Sequence, residues 1–162
     1  MKVNFKTEIT TRLDPEELIE EIKLGEGSFG IVYKGAFRGN EVAIKKMKEI
    51  QQTKESIEEF NKEVSMLDKF RSEHIVHFYG AVFIPNKICM VTEYAKYGSL
   101  NDLIMKRFKD NPIDERIRIK ILIDCSKGIS YLHNNGILHR DIKHDNFLKF
   151  DIENIDKSII KY

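Results

Sequence analysis

Cysteine is scarce in this chain. Cys89 and Cys125 are the two present, far apart and each inside an apolar segment. Such spacing excludes a disulfide framework and the paired ligands of a zinc site, and it predicts buried free thiols. Long hydrophobic runs are missing as well: no window approaches the ~20 apolar residues that a spanning helix requires, which excludes a membrane protein. The opening Met1-Lys2-Val3-Asn4-Phe5-Lys6 lacks the apolar run of a signal peptide, so a cytoplasmic location is expected. Charge of one sign does not dominate either. A formal net charge of +1 gives no global reason to expect nucleic acid as a partner. There is no internal repeat and no low-complexity tract.

What is present is a globular composition, with 41% hydrophobic and 33% charged residues over 162 positions. That length suffices for one ordinary domain, or for part of a larger two-lobed one, with a real core. Residues 1–20 read as a lead-in, in which Asp14-Pro15-Glu16-Glu17 starts a helix of one or two turns: Asp14 caps, and Pro15 suits the first helical position. From Glu21 the pattern turns to short β-prone runs broken by glycine. Strands are expected near Glu21–Leu24, Ile31–Phe37 and Glu41–Met47, the last two joined by a turn at Arg38-Gly39-Asn40. Helical period follows from Lys54 to Phe70, where Ile57, Phe60, Val64, Leu67 and Phe70 recur at steps of three and four. Glu63 lies on the flank of that apolar stripe and Glu58 and Glu59 point away from it. A carboxylate in such a place wants a cation.

Ile75–Phe83 and Lys87–Thr92 read as two more strands, making five. His74 and His77 are assigned to local hydrogen bonding beside them. Ser99 caps a short helix reaching about Lys106, and a long helix runs from about Asp114 to Asn134, closed by Asn134-Asn135-Gly136. On that helix Ile117, Ile121, Leu122, Cys125, Ile129 and Leu132 crowd one side, and Ile119 and Ile123 widen the apolar arc. An arc that wide expects cover on several sides. Short strands are expected at Phe147–Phe150 and Lys157–Tyr162.

Three stretches carry chemistry. Ile137-Leu138-His139-Arg140-Asp141-Ile142-Lys143-His144-Asp145-Asn146 places acid, base and amide groups in one loop. There Asp141 can accept a proton from an attacking hydroxyl, Lys143 can hold a transferring phosphoryl group, and Asn146 can offer an oxygen to magnesium. Gly25-Glu26-Gly27-Ser28-Phe29-Gly30 is a glycine-rich turn where missing side chains let backbone N–H groups approach phosphate oxygens. Alone it describes a plain hairpin equally well. Val42-Ala43-Ile44-Lys45 follows, with Ala43 and Lys45 on one strand face and Glu63 as the partner Lys45 would need. Taken singly, Lys45 is an ordinary surface lysine and Glu63 an ordinary helix glutamate. The order and spacing of the three stretches make chance a poor explanation.

In that order the motifs resemble a eukaryotic-type protein kinase domain, close to the tyrosine-kinase-like group, over about Glu21 to Tyr162. The resemblance implies an α+β, protein-kinase-like fold: an N-lobe at 21–95 with a five-stranded antiparallel sheet and one long helix, then the first part of a helical C-lobe at 96–162. It implies ATP and Mg2+ as cofactors and a protein substrate, hence a transferase of signal transduction. Gly25, Gly27 and Gly30 would line the loop over the phosphates, Val32 and Ala43 would sandwich adenine, and Lys45, paired with Glu63, would hold the α- and β-phosphates. Thr92 would be the gatekeeper, the backbone of Glu93 and Ala95 would meet adenine, and Leu148 would pack beneath it. Asp141 is similar to the catalytic base, Lys143 to the γ-phosphate lysine and Asn146 to a magnesium ligand. Lys143, two residues after the base, resembles the serine/threonine pattern, although transfer to tyrosine stays open. His144 departs from the proline or small residue usual in the family and reads as a solvated loop residue.

These 162 residues contain no Asp-Phe-Gly turn, Ala-Pro-Glu stretch or later C-lobe helices. The magnesium-binding aspartate of the family is therefore absent from them. Loss of such an electrostatic element typically costs ~3 kcal/mol or more of transition-state stabilisation, so weak or no transfer by the chain alone is expected. The 114–134 helix would likewise expose an apolar patch above the ~400 Å² at which surfaces associate. Instability, aggregation, or a partner or chaperone on that face is expected. A packed column of Leu67, Phe78 and His139 would be incomplete. The alternative reading is a non-catalytic, kinase-like regulator that binds nucleotide or a partner; retention of Lys45, Glu63, Asp141 and Asn146 argues against it.

Overall fold

Short β-prone runs between Leu18 and Met47 form three antiparallel strands, β1 (Leu18–Glu26), β2 (Gly30–Phe37) and β3 (Asn40–Met47). The computed structural model describes residues 11–27, 30–107, 113–138, 140–149 and 160–161. Two compact units divide them: one takes the described residues up to Arg71 together with His77–Tyr94, the other takes Ser72–Val76 and the described residues from Ala95 onward.

In the first unit β4 (Phe78–Val82) and β5 (Cys89–Glu93) complete a five-stranded sheet in the order β1-β2-β3-β5-β4, all neighbours antiparallel. Helix α1 (Lys54–Lys69) packs on one face. Its N-cap Thr53 accepts the Ser56 N–H at 3.2 Å, and Phe60 and Val64 are its buried residues. Two apolar layers result from the strand period. Met47, Phe78, Ala81, Ile88 and Met90 join Phe60 and Val64 beneath α1, whereas Phe37, Val42, Ile44, Val82, Cys89 and Val91 form a second cluster. The sheet is therefore covered on the α1 face and closed by its own side chains and those of Leu13 and Leu18 elsewhere.

Several boundaries differ from the sequence reading. β1 begins at Leu18, earlier than Glu21, because Leu18 and Ile19 pair with Phe37 and Ala36. The helix expected at Asp14–Glu17 is a single 3-10 turn, Pro15–Glu17, with Asp14 accepting the Glu16 N–H at 3.0 Å. Ile75–His77 is not strand. The Ser72 hydroxyl accepts the His74 N–H and the Ser72 carbonyl accepts the Ile75 N–H, each at 3.2 Å, so local turn bonding overrides β propensity there.

The second unit contains α2 (Leu100–Arg107), α3 (Glu115–Asn134) and a two-stranded pairing of β6 (Leu148–Lys149) with β7 (Ile160–Lys161). Asp114 caps α3 by accepting the Arg116 N–H at 2.8 Å, and Gly136, at φ +76°, ends it. Leu103, Ile121 and Phe147 form the core, with Leu100, Ile117, Cys125 and Ile129 packed against them. Leu122 does not join that side: it is 69% exposed, with Ile119 at 51% and Ile123 at 42%. The inward place among these positions is held instead by Asp124, fully buried and ion-paired with Lys120 one turn away. Among the described residues no helix is long and apolar enough to cross a membrane.

Candidate active site

The first unit holds the glycine turn and the lysine–glutamate pair. Alternation along β3 buries Val42 and Ile44 on one face and turns Ala43 and Lys45 to the other. Lys45 Nζ donates to both Glu63 oxygens, at 2.8 and 3.1 Å, across eighteen residues of sequence. The two side chains are 36% and 43% exposed, so the pair is reachable from solvent. Beside it lies a cavity of about 120 Å3 lined by Lys45, Met47, Ser56, Glu59, Phe60 and Glu63. Glu59 lines this cavity while remaining exposed, in keeping with a position off the apolar stripe.

Val32 stands opposite Lys45 on β2, and Thr92 opposite Ala43 on β5, so the strand register collects these four positions at the centre of the sheet. Glu93 pairs with Val42, and its N–H donates to the His77 carbonyl at 2.9 Å. The backbone N–H of His77 donates in turn to Glu93 Oε1 at 2.6 Å.

At the glycine turn, the Gly27 N–H donates to the Gly30 carbonyl at 2.9 Å; Ser28 and Phe29 lie outside the described residues. A Cβ at Gly25 or Gly27 would meet nothing within 4 Å, whereas at Gly30 it would stand 2.3 Å from the Lys46 carbonyl oxygen. Gly25 and Gly27 keep an open backbone suited to an approaching phosphate. Gly30 is required by the packing of β2 on β3.

The second unit holds the loop residues. Lys143 Nζ lies 2.9 Å from Asp141 Oδ2, and this hydrogen bond, then the charge itself, raises the lysine pKa above its ordinary value. Asn146 donates its amide N–H to the Asp141 carbonyl at 2.8 Å and toward Asp141 Oδ2 at 3.4 Å. With its nitrogen so held, Asn146 offers a cation its amide oxygen, the hard donor that magnesium takes. Among the described residues no cluster of three His, Cys, Asp or Glu side chains is set to hold a metal. His144 is exposed beside Asp145, at 3.2 Å. Ala95 is buried and its carbonyl accepts the Gly98 N–H at 3.0 Å. Leu148 is half-buried on β6 and bridges Ser99. His139 falls outside the described residues, while Leu67 and Phe78 of the expected column share the cluster beneath α1.

Two features of this loop were not in the sequence reading. Arg140 adopts φ +63°, a left-handed conformation uncommon for a residue with a side chain, immediately before Asp141. Asn101, on the first turn of α2, donates to Asp145 Oδ1 at 3.0 Å, and the Leu100 N–H donates to the Phe147 carbonyl at 2.7 Å. Nothing in the local sequence marks Asn101, because its partner is forty-four residues away.

The model of the protein kinase domain matches residues 18–159, and the chain belongs to that family. Among the relatives it resembles are the probable serine/threonine-protein kinase SIS8 of Arabidopsis thaliana, 44% identical over 83% of this chain. The stress-activated protein kinase alpha of Dictyostelium discoideum is 41% identical over 93% of the chain, and the serine/threonine-protein kinase CTR1 of Arabidopsis thaliana is 41% identical over 78%. The chain spans 14%, 24% and 16% of the lengths of these three relatives.

Proposed function

We propose that this chain forms the nucleotide-binding and catalytic-loop portion of an ATP-dependent protein kinase acting on serine and threonine hydroxyls. The observation that carries the reading is the two-pronged Lys45–Glu63 pair at 2.8 and 3.1 Å, since this places a fixed ammonium on a sheet next to an open glycine turn. Glu63 orients Lys45, and Lys45 binds phosphate oxygens as a point charge. Val32, Ala43 and Thr92 supply the surface for a base, with the backbone of Glu93 at its edge, and the family pattern gives Ala95 and Leu148 roles toward the base as well. Gly25 and Gly27 admit the phosphates, and Gly30 holds the turn to β3. Magnesium-ATP, when bound, supplies the phosphoryl group and neutralises its charge.

With magnesium-ATP bound, Asp141 would accept the proton of the attacking hydroxyl, Lys143 would bind the phosphoryl oxygens, and Asn146 would hold the cation by its amide oxygen. The names of the relatives favour serine and threonine over tyrosine. The reading is tested by titrating the chain with ATP and magnesium in a calorimeter. Saturable binding that Lys45→Met abolishes is the expected result; equal binding by both proteins would refute the nucleotide site. Transfer by these 162 residues is expected to be weak, as they hold no Asp-Phe-Gly. Robust transfer abolished by Asp141→Asn would overturn that expectation while supporting Asp141 as the base. A second reading, partner binding through α3, is favoured by the exposed Ile119, Leu122 and Ile123.

A further inference from the structure

Residues 11–14 precede the segment matched to the protein kinase domain, which starts at residue 18. They are nevertheless built into the first unit at three points. Arg12 lies in parallel register beside Ala81, with the Leu13 N–H donating to the Ala81 carbonyl at 3.0 Å and the Ala81 N–H donating to the Thr11 carbonyl at 3.1 Å. Gly80 makes room for them. A Cβ there would stand 2.7 Å from both Leu13 Cγ and the Thr11 carbonyl oxygen. At the far end of α1 the Thr11 hydroxyl donates to Asp68 Oδ1 at 2.8 Å; the Asp68 side chain is 7% exposed and also faces Arg71 Nη2 at 3.8 Å.

Phe60 and Val64 bury α1 against the sheet, but the apolar driving force carries no bond of fixed direction. A hydrogen bond to a nearly buried carboxylate is directional and short. Asp68 follows Glu63 by five residues, about 7.5 Å along the axis, so a displacement at one is transmitted to the other through the rigid helix. We propose that residues 11–13 are a strap that positions α1, with Thr11 a positioning residue that acts through Asp68 on Glu63. Nucleotide binding then depends on a segment outside the kinase-domain match. The inference rests on the reading of Lys45 and Glu63 as the nucleotide-handling pair.

The test compares the full chain with Thr11→Val, which keeps the shape and removes the hydroxyl donor, Thr11→Ser, which keeps the donor, and Gly80→Ala, which drives the strap off β4. Two readouts are taken: calorimetric affinity for ATP with magnesium, and amide hydrogen exchange along α1. Thr11→Val and Gly80→Ala are expected to weaken affinity about fivefold or more, the usual scale of coupling between sites, and to speed exchange from Phe60 onward. Thr11→Ser should restore both. Unchanged affinity in Thr11→Val, alongside loss of binding in Lys45→Met, would overturn the proposal, because the strap would then be structural alone. Should Lys45→Met bind ATP normally, the nucleotide reading fails and the dependence of binding on the strap fails with it, while unchanged α1 exchange in Thr11→Val would refute the positioning of α1 as well.

Discussion

A Cβ on Gly30 would lie 2.3 Å from the Lys46 carbonyl oxygen, while one on Gly27 would meet open space. Gly30→Ala should therefore destabilise the fold by about 1–3 kcal/mol in chemical denaturation, the usual cost of overpacking. Gly27→Ala should move stability by less than about 1 kcal/mol and act on ATP affinity instead. Glu63→Gln separates the two effects in the same way. Its ion pair is partly exposed and worth at most about 1 kcal/mol to the fold, so the expected result is a near-normal denaturation midpoint with weakened ATP binding. Desolvation pushes the Cys89 thiol up to about 11 from its ordinary 9.0. Because the folded state holds the proton more tightly, this thiol's contribution is intact below pH 9.0 and is lost as the pH rises toward about 11. In the folded chain Cys89 should resist alkylation at neutral pH; modification as fast as in the denatured chain would contradict its burial.

Elements were legible in the sequence where local pattern and tertiary demand agree. β2, β3 and α1 fall within a residue of their expected bounds because alternation, the Arg38-Gly39 turn and the Thr53 cap all act locally. The cap itself is testable, since Thr53→Ala removes the acceptor of the Ser56 N–H and should cost about 1 kcal/mol of stability. Long-range pairings were not legible: Asn101 to Asp145, Thr11 to Asp68, and the seating of Leu13 over Gly80 join residues that share no periodicity. The site divided along the same line. Lys45 and Glu63 could be paired from a strand face and a helix flank, whereas the left-handed Arg140 has no residue-type signal, since arginine is not a residue that favours that conformation. On α3, a wide apolar arc could be seen in sequence, but which part of it faces inward is decided by Asp124, a residue that hydropathy would place outside.

At the scale of the molecule, each unit has its own core, and the segment matched to the protein kinase domain runs through both. The surface of the second unit includes Leu122, more than two-thirds exposed on α3 beside the exposed Ile119 and Ile123. Leu122→Lys should leave stability within ~0.5 kcal/mol of the parent, as an exposed substitution does, and should reduce self-association of the chain in light scattering. Undiminished association would place the sticky surface elsewhere. The strap along β4 has a consequence for the solution behaviour of the sheet as well. An open strand edge is a template on which another chain can add a strand, and this sheet has two edges. At β1 the ladder is interrupted by register shifts at Glu20/Ile22 and Lys23/Gly25, which bend the edge out of line for any incoming strand. At β4 the Ala81 N–H and carbonyl are already bonded to Thr11 and Leu13, so the chain occupies that point of the edge with its own backbone, and removing those residues is expected to open it to an added strand.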